Sequence, residues 1–99
     1  MRLSAKYIPS CECTPKWSTY PDGSPCLVLI DNLDGSVLCK ATVSLPHNQP
    51  EVGHCYIKTW CENAGVMESL CAEGILSYTG RQIRAGFVCV SVCKILVQP

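Results

Sequence analysis

Apolar residues recur along this chain in short runs with the period of β-strands, separated by segments rich in proline and glycine. Arg2–Ile8 places Leu3, Ala5 and Tyr7 on one side and Arg2, Ser4 and Lys6 on the other, the period of a short edge strand. Cys26-Leu27-Val28-Leu29-Ile30 is a continuous apolar run with a β-branched bias, and Asp34-Gly35 after it signals a tight turn. Val37 to Leu45 then alternates, with Val37, Cys39, Ala41 and Val43 facing one way, so the two runs predict a hairpin with one buried face. Pro46 and Pro50 end it, because neither donates to a ladder. Phe87 to Val97 is largely apolar on both faces, which predicts a central strand covered on each side, with Phe87 packed on Val66 or Leu70.

Helical spacing is confined to Asn63–Glu73. Asn63 supplies an N-cap, Val66, Met67, Leu70 and Cys71 fall on one face, Glu68 and Glu73 keep to the polar side, and Gly74 supplies a left-handed stop. Residues 9–25 carry Pro9, Pro15, Pro21 and Pro25 around Asp22-Gly23, which predicts an irregular loop, and Ser77–Arg81 reads as a turn. The order β–β–β–α–β predicts an α+β fold: one domain over residues 1–99, a small, mostly antiparallel sheet with one helix packed on one face.

Composition narrows what such a domain does. Apolar residues make up 47% of the chain and charged ones 16%, which argues against disorder, and eight basic residues balance eight acidic ones, which argues against a phosphate-gathering surface for nucleic acid. No apolar run approaches the roughly 18 residues of a membrane span, and the Met-Arg-Leu-Ser-Ala-Lys start has no apolar core of a secretory signal. A cytoplasmic protein is therefore expected, and with it nine free thiols, an odd number without a Cys-x-x-Cys pair. Cys39, Cys61, Cys71, Cys89 and Cys93 read as core packing; Cys89 and Cys93 share a strand face about 13 Å apart, too far for one disulfide or one metal.

The candidates for chemistry are few. Cys11-Glu12-Cys13 offers two soft ligands in the predicted loop, which would need His47, His54 or Cys55 to complete a zinc site. His54-Cys55 is the only sequence contact between the two residue types of a Cys/His nucleophile, and neighbours in extended chain point to opposite faces. No Gly-x-Ser-x-Gly, phosphate loop or His-Glu-x-x-His is present, so neither an enzyme nor a bound cofactor is expected. Thr79–Gly86, predicted as a loop between helix and strand, carries Arg81 and Arg84, whose guanidinium groups suit carboxylate partners; the plainer reading pairs Arg81 with Glu73. Trp17, Tyr20 and Trp60, in or near loops, are candidate aromatic anchors for a protein partner, although Trp60 at the helix entrance also suits a cap on the core.

The sequence of motifs Lys40-Ala41-Thr42-Val43-Ser44-Leu45-Pro46, Tyr56-Ile57-Lys58, Glu62-Asn63, Gly74-Ile75-Leu76, Thr79-Gly80-Arg81 and Gly86-Phe87-Val88 resembles small proteins of bacteriophages, plasmids and integrated bacterial elements, over about residues 37–96. The resemblance implies context more than mechanism: a non-catalytic accessory protein that binds a host or element-encoded protein and, within that class, one that inhibits a host defence system. The alternative is a small metal-binding structural or regulatory module built on Cys11 and Cys13.

Overall fold

A computed structural model of the chain describes residues 1–45, 47–60 and 63–97. Its elements are β1 (Arg2–Leu3), β2 (Cys11–Thr19), β3 (Pro25–Asp31), β4 (Val37–Lys40), β5 (His54–Ile57), α1 (Val66–Ala72), β6 (Leu76–Ala85) and β7 (Val88–Ile95). The domain is sheet-rich with one short helix, and every strand pairing is antiparallel. One sheet runs β1-β2-β3-β4 and the other β5-β7-β6. No helix among the described residues is long and apolar enough to cross a membrane.

The segment leaving β4 joins the two sheets. Ala41 N–H donates to the Leu27 carbonyl in the first sheet (2.9 Å), while Val43 N–H donates to the Tyr56 carbonyl (3.0 Å) and Lys58 N–H to the Ala41 carbonyl (2.8 Å) in the second. The sheets thus share one core, in which Leu27, Leu29 and Cys39 meet Cys55, Ile57, Cys93 and Ile95. Val66 and Leu70 of α1 enter this core, and the helix packs against β1 and β6, the terminal strands of the two sheets. A smaller cluster on the opposite face of the second sheet gathers Tyr56, Val90 and Val92 under Val43, Leu45 and Trp60.

Residues 9–25 are not the expected loop. Cys11, Cys13, Pro15 and Trp17 point inward and alternate with exposed Glu12, Thr14, Lys16 and Ser18, the period-two pattern of a half-buried strand. Pro15 is accommodated because Met1 and β1 cover β2 only at Cys11, Glu12 and Cys13; beyond them β2 is an edge strand, where a missing N–H removes no ladder bond. The hairpin to β3 closes at Tyr20–Ser24: Tyr20 N–H donates to the Ser24 carbonyl (2.9 Å), and the Asp22 carboxylate accepts from Ser24 N–H (2.9 Å) and its hydroxyl (2.6 Å). These bonds hold the Asp22 carboxyl below its ordinary pKa.

The predicted turn at Ser77–Arg81 lies inside β6, and its turn chemistry survives as an irregularity. Register shifts between Tyr78 and Gln82, with Gly80 at φ 84°, so the extra residues bulge without ending the strand. β7 is central in its sheet, as its two apolar faces predict, but it begins at Val88. Phe87 occupies the two-residue turn and is fully exposed, and Cys89 beside it is exposed as well, so neither packs in the core. Gly86 at φ 67° sets that turn, which projects the neighbouring side chain outward. Cys39 and Cys93 are buried and Cys71 half-buried; Cys61 and Pro46 lie outside the described residues.

The helix begins later than Asn63. Its N-cap is Gly65, without a side-chain cap, while buried Asn63 donates through Nδ2 to the Lys40 carbonyl (2.8 Å) and ties the helix entrance to the end of β4. Ser69 holds the chain after β1: Ser4 N–H donates to its Oγ (3.1 Å), and its hydroxyl donates to the Ser4 carbonyl (2.6 Å). Gly74 does provide the left-handed stop, with φ 73°.

Gly65 is the glycine whose replacement has two costs. Its φ is 90°, and an added Cβ would lie 3.1 Å from Ala5 Cα and 3.3 Å from Lys6 N, both backbone atoms. Gly74 has a comparable φ but open space around it. Gly65→Ala is therefore expected to destabilise by about 1–3 kcal/mol and by more than Gly74→Ala. Urea unfolding of the two variants checks this; equal midpoints would show that the contact with residues 5 and 6 yields freely.

Candidate functional site

Tyr56 on β5, Thr79, Arg81 and Ile83 on β6, and Val92 on β7 converge on one cleft, whose rim is the 48–54 segment with Glu51 and His54. Arg81 Nη1 lies 4.0 Å from Glu51 Oε1, and both side chains are mostly exposed. Such a pair contributes little to stability. The structure thus pairs Arg81 with Glu51 and not with Glu73, whose Oε1 accepts from Arg2 N–H (3.1 Å). Burial pushes the Tyr56 phenol above its ordinary pKa, against the lowering effect of Arg81, so the phenol is a neutral donor, 3.4 Å from Asn48 Oδ1. His54 is tied back to the loop through Nδ1 and the Val52 carbonyl, 3.1 Å apart. The cleft therefore presents a neutral phenol and a self-compensating ion pair, without a nucleophile held by a base.

The residues singled out in the sequence do not converge there. Arg81 lines the cleft, while Arg84, three residues on, is paired in register with Cys89 on the other face of the hairpin and donates from Nε to the Gly86 carbonyl (3.1 Å). The Thr79–Gly86 segment that carries them is strand up to Ala85, not loop. Trp17 is half-buried against the main core, and Trp60 is half-buried over the smaller cluster with Lys58 Nζ 5.9 Å from its ring centroid. Tyr20 is a clasp: its hydroxyl donates to the Thr42 carbonyl (3.0 Å) and lies 3.1 Å from Thr42 Oγ1, holding the first hairpin to the segment that joins the sheets. All three rings are half-buried and packed or bonded within the domain.

The thiols are placed by burial. Cys11 and Cys13 lie on the inward face of β2, Cys13 completely buried, and burial raises the Cys13 pKa. A metal takes the thiolate, which this environment disfavours. Among the described residues no three Cys, His, Asp or Glu side chains come together as a metal site. Cys55 and Cys93 face each other directly across β5 and β7, both completely buried, with their pKa values pushed up to about 12 by loss of solvent. His54 sits on the opposite strand face from Cys55, as alternation requires.

The feature missed by sequence reasoning is the tip of the β6–β7 hairpin. Phe87 is fully exposed there, Cys89 is exposed, Val88 is half-buried, and Arg84 stands alongside. Ala85-Gly86-Phe87-Val88, a glycine and one residue between two paired positions, was the available signal for a two-residue hairpin turn. Searches against protein-family models, curated proteins and solved structures find no match to this chain.

Proposed function

We propose that this chain is a non-catalytic accessory protein of a phage or mobile element, which binds a host or element-encoded protein through the tip of the β6–β7 hairpin. Within that class, inhibition of a host defence system is the reading its resemblance to mobile-element proteins suggests. The observation that carries the proposal is Phe87, an aromatic side chain entirely in solvent on a two-residue turn between paired strands. Aromatic anchors of this type dominate interface energies, and a turn set by register loses little entropy on binding. Arg84 beside it supplies a fork for a carboxylate.

Affinity capture from cells that carry the element, with wild-type protein and the Phe87→Ser variant, tests this reading. The variant is expected to lose the partner and keep its melting temperature. Leu33→Ser, which removes an equally exposed apolar residue at the β3–β4 turn, is expected to retain the partner. Equal capture by wild type and Phe87→Ser would refute the hairpin tip as the contact.

A further inference from the structure

We infer, on the reading that this hairpin is the contact surface, that the partner supplies an extended segment of alternating apolar and acidic residues, which adds as a strand along the edge of β6 at Gln82–Ala85. β6 is the terminal strand of its sheet, and among the described residues no chain pairs with its outer side there. The two-residue turn makes Ala85 and Val88 the closing hydrogen-bonded pair. Alternation then directs the N–H and C=O groups of Gln82 and Arg84 away from β7, toward the open edge. An unpaired row of this kind is a template for strand addition, and the bulge at Tyr78–Gln82 limits it to the end nearest Phe87.

The two faces of this edge state what the added strand must carry. On one face Ile83 and Ala85 are half-buried with Trp60, Val43 and Leu45, so a strand laid beside them continues an apolar surface. On the other face Gln82 and Arg84 are exposed. Charge completes the argument: residues 74–99 contain Arg81, Arg84 and Lys94 and no acidic residue, although the chain as a whole is neutral. Acidic side chains on one face of the incoming strand meet Arg84, and apolar ones on the other meet Ile83 and Trp60. A second copy of this chain is a poor occupant, because two-fold antiparallel pairing at this edge sets the Arg84 side chains of both copies beside each other.

The probe is a synthetic peptide alternating valine and glutamate, titrated into uniformly 15N-labelled full-length protein. Amide shifts are expected at Gln82 and Arg84 and at the turn through Phe87. Arg84→Glu and Gln82→Pro are each expected to weaken binding about tenfold or more. Gln82→Pro removes an outward N–H while leaving the β6–β7 ladder intact, so its melting temperature should hold. Absence of shifts at these amides overturns the inference. So does displacement of the peptide by a single-stranded oligothymidine, which would mark a site for polyanions. If the partner captured from cells is lost on Phe87→Ser yet kept on Gln82→Pro, the hairpin tip stands as the contact and strand addition does not.

Discussion

Leu29→Ala is expected to destabilise the protein by about 2–5 kcal/mol, whereas Phe87→Ala should change stability by no more than about 0.5 kcal/mol. Leu29 is completely buried in the middle of the first sheet and faces the core shared by both sheets and α1. Its truncation leaves a cavity that paired strands on either side cannot collapse into. Domains of this size have about 5–15 kcal/mol of stability, so the loss is a large share of the total. Phe87, entirely exposed at the hairpin turn, has no packing to lose. Urea unfolding of both variants provides the check. A large loss for Phe87→Ala would place that ring in the core, and a negligible one for Leu29→Ala would mean that the two sheets share no core.

Stability is also expected to fall steeply in alkali. Folding raises the Cys55 and Cys93 pKa values from an ordinary 9.0 to about 12, chiefly because burial excludes the charged thiolate. Below about pH 9 both states hold the protons, and this contribution to stability is complete. Between pH 9 and 12 the unfolded chain releases protons that the folded chain keeps, so each thiol lowers stability by about 1.4 kcal/mol per pH unit. Because the two thiols face each other, they titrate as a pair and their slopes are not independent. Denaturant melts in steps from pH 8 to pH 11 measure the slope. In the Cys55→Ala/Cys93→Ala double variant the slope should be shallower, even though the variant starts from lower stability. An unchanged slope would place the titrating groups elsewhere.

Segments were legible in the sequence where several local signals agreed. β3 is a continuous apolar run next to an Asp-Gly turn, and two local signals agreed with its final position. The stop of α1 at Gly74 was equally plain, because a left-handed residue is a local demand. β2 carried a clean alternation from Cys11 to Trp17, yet Pro15 outweighed it; only pairing could show that this proline sits on an edge. In β6, Gly80 between threonine and arginine is ordinary turn chemistry, and β7 as a neighbour converts it into a bulge. The same limit applied to function: Arg81 and Arg84 are close in sequence but lie on opposite strand faces, and Phe87 looked like the first core residue of a strand.

Local pattern by itself determined that this chain combines antiparallel strands with one short helix, and it marked the β3 and β7 runs as buried, because side-chain period and glycine conformation are properties of neighbouring residues. Tertiary structure alone decided that residues 41–43 join two sheets, that Cys55 meets Cys93 and that Arg81 answers Glu51. Each of these depends on how segments distant in sequence are brought together, and a shift of one residue in strand register exchanges the two faces of a strand without altering its composition.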